Sequence, residues 1–274
     1  MLLKQKKCPN CGAYYDPTLE KCPSCHKHNE LYLNREINDK IAFLHPAAQI
    51  GLFLGGFALA GMLIIEILFA LFLKNAITDK TALDATLISC TYITLIGGLG
   101  FIVFLTRRKH FLSKYTRKID YIYGLAYMIT LILVSSLVGV LTSLFHEATD
   151  NANQSTAIVF SKNYPLLAFF VIGILGPICE ELTYRVGLYS FLRRINKYLA
   201  IIVTTIVFAF IHLSFTSETI IEELISLPSY LIAGAIFAIA YEHRGPACSI
   251  TAHIVYNMFA VMIIFLNNYG YTYI

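Results

Sequence analysis

The stretch Pro177-Ile-Cys-Glu180-Glu181-Leu-Thr-Tyr-Arg185 places two carboxylates and a guanidinium inside an otherwise apolar segment, which runs from about Leu166 to Leu192. On insertion scales an Asp, Lys or Arg at mid-membrane costs roughly 2.5–3.5 kcal/mol, so such charges need a compensating partner or a function. In a helix, Glu181 and Arg185 lie four residues apart on one face, where they can pair, whereas Glu180 points about 100° away. The stretch therefore separates a paired, structural carboxylate from a second carboxylate that is free for chemistry.

The composition around this stretch is that of an integral membrane protein. The 274 residues are 57% hydrophobic and only 14% charged, with a mean hydropathy of +0.64, which ordinary soluble domains do not match. The net charge of +4 is too small and too dispersed to indicate nucleic acid. The first residues are polar and cysteine-rich, so we expect no signal peptide and insertion through the later apolar spans.

Four cysteines form two paired knuckles, Cys8-Pro-Asn-Cys11 and Cys22-Pro-Ser-Cys25, separated by ten residues. Each knuckle puts two sulfurs on one tight turn, and the short linker brings the turns together, which suits tetrahedral zinc. A pair of disulfides would need an oxidising compartment. His26 or His28 could replace a cysteine ligand. The pattern predicts a structural zinc ribbon over residues 1–28, too short for a hydrophobic core and therefore dependent on its metal for folding.

Seven apolar runs, each about long enough to span a bilayer, follow a linker at 29–46. The runs are roughly 47–73, 83–105, 121–145, 164–191, 198–215, 226–242 and 246–267. We therefore predict an all-α polytopic membrane protein, a bundle of about seven or eight transmembrane helices over residues 47–274 preceded by the small zinc ribbon. In the fourth run, Gly173-Ile-Leu-Gly176-Pro177 should bend or loosen the helix, because Pro177 removes a backbone donor and crowds the preceding turn.

The loops alternate in charge along the chain. The basic loops carry Arg107, Arg108, Lys109, Lys114, Arg117 and Lys118, and then Arg193, Arg194 and Lys197. The loops at 74–82, 146–163 and 216–225 carry few lysines and several acids. By the positive-inside rule the basic loops, the N-terminus and the ribbon are cytoplasmic, and seven spans place the C-terminus outside.

Two further polar sites lie in the apolar C-terminal half. One is Phe208-Ala-Phe-Ile-His212 and the other is His253-Ile-Val-Tyr-Asn257, whose His253 and Asn257 share a helix face. A neutral imidazole can accept a proton from water, and an amide or a protonated imidazole can donate to a developing oxyanion. Both sites are therefore candidates for acid–base chemistry inside the membrane.

Glu180-Glu181-x-x-x-Arg185, Phe208-x-x-x-His212 and His253-x-x-x-Asn257, in that order within apolar helices, resemble the three motifs of the CPBP family. This family includes the CAAX prenyl endopeptidases and the bacterial bacteriocin-processing and immunity proteins. The resemblance covers roughly residues 120–266, and every motif position is filled.

The resemblance implies an intramembrane glutamic endopeptidase without a catalytic cofactor. Glu180 would be the general base that activates water together with His212, while His253 and Asn257 would form the oxyanion hole. Glu181 and Arg185 would support the site. The geometry of the stretch had already set Glu180 apart from the other two.

The depth of His212 conflicts with a straight fifth span. His212 falls some fourteen residues into the run 198–215, which would carry it outward of Glu180 and His253. That helix must therefore tilt strongly, begin deep in the membrane or lie lower than the apolar run suggests.

Other functions remain open at this stage. The polar residues could only bind helices together, or could belong to a transporter, although no internal repeat supports that. His212, His253 and Glu180 could be ligands of a zinc-dependent intramembrane protease, although no His-Glu-x-x-His motif occurs. A relative that binds without cleaving, as a membrane regulator, is another alternative.

We expect membrane lipid and a peptide or membrane-protein substrate as partners, with no nucleic acid. A bias toward Ile, Lys, Asn and Tyr suggests a bacterial cell membrane. For a bacterial protein, the resemblance to the CPBP family implies peptide maturation or bacteriocin immunity rather than cleavage of prenylated proteins.

Overall fold

The computed structural model describes residues 6–16, 19, 21–27, 41–42, 44–59, 62–106, 108–144, 150–214 and 220–268. Within the cysteine-rich segment, β1 (Lys6–Lys7) pairs antiparallel with β2 (Tyr14–Tyr15). His28 and most of the predicted linker at 29–46 lie outside the described residues.

The rest of the described chain is helical. The helices are α1 (Pro46–Leu54), continued by a π-helical turn (Gly55–Leu59), α2 (Met62–Leu73), α3 (Lys80–Leu105), α4 (Arg108–Ser113), α5 (Lys118–Ser143), α6 (Ala152–Asn163), α7 (Pro165–Arg193), α8 (Lys197–Phe210), α9 (Ile220–Arg244) and α10 (Pro246–Asn268).

Five of these helices, α3, α5, α7, α9 and α10, are long and apolar enough to cross a membrane, and two shorter apolar helices cover Pro46–Phe57 and α8. The chain is therefore an all-α integral membrane protein, as predicted. Among the described residues, however, the number of full-length spans is lower than the predicted seven or eight. The reason is physical: a 14-residue helix such as α8 is only about 21 Å long, too short for a hydrocarbon core of about 30 Å.

Helix boundaries follow local sequence signals. The Asp79 carboxylate accepts a hydrogen bond from the Ala82 N–H and caps α3, and the Asn196 side chain caps α8 in the same way. Pro246, at the first turn of α10, has no N–H to leave unpaired. Gly245 between α9 and α10 has φ +82°, a left-handed conformation that glycine adopts without strain, and the chain reverses sharply there.

Helix α7 lies at the centre of the bundle. Its inner residues Leu182, Val186 and Tyr189 belong to the largest buried apolar cluster, together with residues of α1, α3 and α9. Helices α9 and α10 pack against α5 on one side, and α8 packs against α9. The stretch that carries the charges is thus enclosed by protein.

The predicted loop 146–163 contains a helix that the sequence reading did not include. Helix α6 begins after Asn151, whose side chain accepts a hydrogen bond from the Gln154 N–H. The N–H of Ala152 donates to the buried carboxylate of Glu223 in the first turn of α9, at 3.0 Å. A 12-residue helix of low hydropathy gives no spanning signal, because it is neither long nor apolar enough to cross a membrane.

Candidate active site

The predicted loosening of α7 is present as two π-helical segments. The first covers Val171–Leu175 and the second Glu181–Tyr189, with a short α-helical piece, Gly176–Glu180, between them. Pro177 cannot donate a backbone hydrogen bond, so the turn before it cannot close in the usual way. Single π-turns within α-helices are frequent at functional sites. Glu180 and Glu181 lie where the helix changes from one form to the other.

Glu181 and Arg185 form the buried pair that their spacing predicts. Arg185 Nη1 lies 3.3 Å from Glu181 Oε1, and both side chains are almost completely buried. Arg185 Nη2 donates to the Gly234 carbonyl at 3.2 Å, and the guanidinium lies over the rings of Phe208 and Phe237. The cation therefore ties α7 to α8 and α9.

Glu181 also holds α10 in place. Its Oε1 is 3.0 Å from His253 Nδ1, and its Oε2 accepts a hydrogen bond from Ser249 Oγ. Ser249 and His253 are four residues apart on α10, so one face of that helix supplies both contacts. The sequence reading missed Ser249, although its place one turn before His253 on the face that continues to Asn257 was a usable signal.

Glu180 lies between the two histidines. Its Oε2 is 3.7 Å from His212 Nε2 and 3.7 Å from His253 Nε2, and it is a buried oxygen without a protein hydrogen-bond partner. Distances of this size leave room for a bridging water rather than a direct hydrogen bond. The three side chains therefore converge on one small space.

The position of His212 follows from the shortness of α8. The helix ends at Phe210, and His212 lies in the turn that follows, where its Nδ1 is 2.7 Å from the Phe208 carbonyl. The predicted span 198–215 is therefore wrong in length, and the 3.7 Å between His212 Nε2 and Glu180 Oε2 shows that the two side chains lie at the same level. Leu213 and Ile211 are apolar, so a hydropathy window cannot separate the turn from the helix.

Aromatic rings fix the planes of both imidazoles. His253 stacks on Phe237 of α9, with centroids 4.1 Å apart and an interplanar angle of 21°. His212 stacks on Tyr230 of the same helix at 4.8 Å and 22°. Sequence reasoning identified neither ring, because no local pattern reports which helix lies opposite a histidine.

The hydrogen bonds also fix which ring nitrogens carry protons. The Phe208 carbonyl can only accept, so His212 Nδ1 must be the protonated nitrogen, and the neutral ring presents an unprotonated Nε2 to Glu180. His253 Nδ1 donates in the same way, but to a carboxylate. One histidine thus has a neutral partner and the other a charged one, which gives the two rings different chemistry.

A cavity of about 670 Å³ opens onto this cluster. Glu180, His212 and Asn257 line it, together with apolar side chains of α3 such as Ile88 and Leu95. The Asn257 amide donates to the Ile172 carbonyl in the first π-helical segment at 3.1 Å, and an amide nitrogen has a second hydrogen to offer. Of the six predicted site residues, these three line the mostly apolar cavity, and Glu181, Arg185 and His253 join them through the contacts described above.

The cysteine cluster is a separate candidate metal centre. The four sulfurs all lie within 4.8 Å of one another, with 3.7 Å between Cys8 and Cys25 and 3.6 Å between Cys11 and Cys22. Four thiolates around zinc, with Zn–S of about 2.3 Å, have sulfurs about 3.8 Å apart, so the arrangement fits that ion.

The protonation of the thiols supports the same reading. Backbone hydrogen bonds from Cys11 and Asn10 lower the pKa of Cys8, and one from Lys27 is the main cause that lowers the pKa of Cys25 to about 6. A backbone hydrogen bond at Ala13 favours the Cys11 thiolate, but the neighbouring sulfurs and burial raise its pKa to about 12. Without a cation, the sulfurs compete for negative charge; a divalent ion would remove that competition.

Part of the chain is similar in sequence to one protein family and to two known bacterial proteins. Residues 162–259 match the family described as Type II CAAX prenyl endopeptidase Rce1-like. The chain is 26% identical over 151 residues to UPF0177 protein YvdC of Lactococcus lactis subsp. lactis (strain IL1403), covering 55% of this chain and 54% of that protein. It is 29% identical over 136 residues to the membrane-embedded CAAX protease MroQ of Staphylococcus aureus (strain USA300), covering 47% of this chain and 51% of that protein.

The matches agree with the resemblance of the three motifs to the CPBP family. The chain spans about half the length of the curated relatives that it matches. No solved structure matches it significantly. The segment matched by the Rce1-like endopeptidase family model begins just before α7 and ends within α10, so it includes all six site residues and Ser249 but not the cysteine cluster.

Proposed function

We propose that the chain is an intramembrane endopeptidase that hydrolyses peptide bonds of membrane-associated peptides or proteins with a water activated by Glu180 and His212. The observation that carries the proposal is the convergence of Glu180 Oε2 with Nε2 of His212 and of His253, at 3.7 Å each, beside a mostly apolar cavity. The match to a CAAX endopeptidase family and to a relative named as a membrane-embedded protease supports a peptidase.

His212 would act as a hydrogen-bond acceptor and His253 as a hydrogen-bond donor. Glu180 would accept one proton of the attacking water while His212 Nε2 accepts a hydrogen bond from its other hydrogen, and the water oxygen adds to the peptide carbonyl carbon. To stabilise the resulting oxyanion, His253 must carry protons on both nitrogens, with Nδ1–H directed at Glu181 and Nε2–H free to donate. The Asn257 amide would donate beside it. Glu180 would return its proton to the leaving amine as the peptide bond breaks.

Glu181 and Arg185 would have positioning roles in this scheme. Glu181 fixes the orientation of His253 through Nδ1, and Arg185 keeps Glu181 ionised in the protein interior. Both would act through contacts with other protein groups, so neither would need to touch the substrate. We further infer a bacterial cell membrane, a cytoplasmic N-terminus and a peptide-maturation or bacteriocin-immunity setting, from the charge of the loops and the composition.

The decisive experiment compares the purified full-length protein with Glu180→Gln in detergent or proteoliposomes, using membrane-associated peptide libraries and mass spectrometry. Removing the base should lower cleavage at least 100-fold, since positioned acid–base groups contribute about 10²–10⁴. Glu222→Gln, in the first turn of α9 and outside the cavity, is the matched control and should retain full activity. Equal cleavage by the wild type and Glu180→Gln would refute the assignment of the base.

A zinc-dependent protease is the second candidate, because two imidazole nitrogens and a carboxylate facing one space are also a hydrolytic zinc donor set. We propose that zinc is instead structural and is held by Cys8, Cys11, Cys22 and Cys25, with residues 1–28 as its ribbon and no catalytic cofactor. The full-length Cys8→Ser/Cys22→Ser chain should then contain no stoichiometric zinc yet cleave peptides in the presence of a chelator. Loss of its activity on chelation, restored by zinc, would favour the metalloprotease.

A further inference from the structure

One stripe of α3 forms a wall of the cavity along much of its length. Asp84, Leu87, Ile88, Tyr92 and Leu95 all line the cavity, at the spacing of a single helix face. Eleven residues of α-helix rise about 16 Å, which is the length of about five residues of extended peptide at 3.3 Å each. The cavity can therefore hold a peptide segment rather than a single side chain.

The distance from the reactive cluster to the far end of this wall can be read along α3. The Cys179 thiol contacts the Tyr92 carbonyl at 3.8 Å, so Tyr92 is level with Cys179 and with the adjoining Glu180. Asp84 lies eight residues earlier, which is about 12 Å along the helix. An extended peptide covers that distance in three to four residues.

Asp84 is the second carboxylate of the cavity. The charged side chains among the described lining residues are Asp84 and Glu180, and neither lysine nor arginine lines the cavity. Asp84 is solvent-exposed and makes no ion pair within the described part of the chain, not even with Lys80, one turn earlier on α3. The proposed mechanism does not use Asp84. An open carboxylate at the end of a mostly apolar cavity attracts a cation.

We propose that Asp84 is a specificity-determining residue that binds a positively charged group of the substrate three to four residues from the cleaved bond. The inference rests on the proposed peptidase function and names the class of substrate: an apolar peptide with an ammonium or guanidinium group at that spacing. The group is either a lysine or arginine side chain or a free α-amino terminus. Both sources present the same cation to the carboxylate.

The test measures cleavage of a lysine-scanned peptide series by the full-length protein. The parent is a quenched-fluorescent peptide of apolar residues with glutamine at each scanned position. Each derivative replaces one of these glutamines with lysine. Every peptide is made with an acetylated and with a free N-terminus. Wild type should prefer lysine at one position, three or four residues from the cleaved bond, by about two- to fivefold in kcat/KM, because a solvent-exposed ion pair is partly screened. A preference confined to the free-amine peptides would assign the cation to the α-amino group.

Substitution of Asp84 tests whether the preference for lysine over glutamine depends on its carboxylate. In Asp84→Asn the lysine-to-glutamine ratio at that position should fall to about one, and Asp84→Lys should reverse the preference toward a glutamate-bearing peptide. Asp150→Asn removes the same charge from an exposed residue outside the cavity, and should keep the wild-type ratio.

The two proposals fail differently. A lysine preference that persists in Asp84→Asn, or no preference in a wild type that cleaves the parent peptide, would overturn the role of Asp84 alone. A wild type that cleaves no peptide above the level of Glu180→Gln would overturn the peptidase proposal and this inference with it.

Discussion

Helices α5 and α7 are both apolar and both long enough to cross a membrane, but they differ in almost every other respect. In α5 only 11% of the apolar window is buried within the protein, and its exposed leucines, such as Leu133 and Leu137, form a surface suited to lipid. In α7 half of the window is buried, and two π-helical segments interrupt its α-helical form.

The difference shows what a charged residue requires of a membrane helix. Arg185 and Glu181 are tolerated because neighbouring helices supply partners for each, and irregular backbone is tolerated because it faces protein rather than lipid. Helix α5 has no such enclosure and stays regular. Apolar character therefore predicts that both helices cross the membrane, whereas the polar residues predict which of them is central.

The largest expected effect is on stability. Arg185→Met removes the cation but leaves Glu181 buried and ionised, and breaking a buried ion pair in this way costs about 3–5 kcal/mol. The matched change on α5, Leu137→Ala at a lipid-facing position, should cost less than about 0.5 kcal/mol. Reversible unfolding in mixed micelles would measure both free energies.

A double variant controls for the size of the side chain. Arg185→Met combined with Glu181→Gln should recover part of the lost stability, because no uncompensated charge remains. A double variant as unstable as the sum of the two single variants would mean that the guanidinium acts through packing on Phe208 and Phe237 instead.

The next largest expected difference in stability is between alanine substitutions of two glycines, one in α7 and one in α5. A Cβ added to Gly187 of α7 would lie 2.9 Å from the Phe53 backbone nitrogen of α1, so Gly187→Ala must push two packed helices apart, at about 1–3 kcal/mol. A Cβ added to Gly139 of α5 meets nothing within 4 Å, and Gly139→Ala should stabilise the helix by up to about 1 kcal/mol. The midpoint temperature of thermal unfolding should fall for Gly187→Ala and rise for Gly139→Ala. Equal shifts would show that α1 yields easily to α7.

Sequence reasoning predicted the features that depend on local spacing. The pairing of Glu181 with Arg185, the loosened helix around Pro177 and the cysteine cluster each follow from residues close together in the chain. The helical membrane class likewise follows from apolar runs. In these cases the spacing along the chain fixes which side chains are close together, because helix periodicity and tight turns are local.

Features that depend on which helices are neighbours could not be predicted in this way. The run 47–73 is apolar throughout, yet α1 gives way to a π-helical turn at Gly55–Leu59 and a new helix begins at Met62. The contact of Ser249 with Glu181 joins residues 68 apart, and the stack of Tyr230 on His212 joins α9 to the turn after α8. These contacts are set by tertiary packing, which a single sequence does not display.

The smallest expected effect concerns Tyr230, which connects α6 to the reactive cluster. Its hydroxyl lies 3.2 Å from the Asn151 amide nitrogen and 3.1 Å from that of Asn153, while its ring stacks on His212. Tyr230→Phe keeps the ring but frees it from α6, so His212 should lose some of its orientation. Because one hydrogen-bonded network contributes about 1 kcal/mol, we expect kcat to fall about fivefold with little change in KM.

The matched variant on the other histidine separates positioning from general packing. Phe237→Leu removes the ring that stacks on His253, on the same helix α9, and should reduce kcat more than Tyr230→Phe because the stack itself is lost. Tyr230→Leu should then resemble Phe237→Leu, and Asn153→Ala should resemble Tyr230→Phe. If Tyr230→Phe instead raised KM with kcat unchanged, the tyrosine would contact the substrate, and the ordering of His212 would have to come from its bond to the Phe208 carbonyl alone.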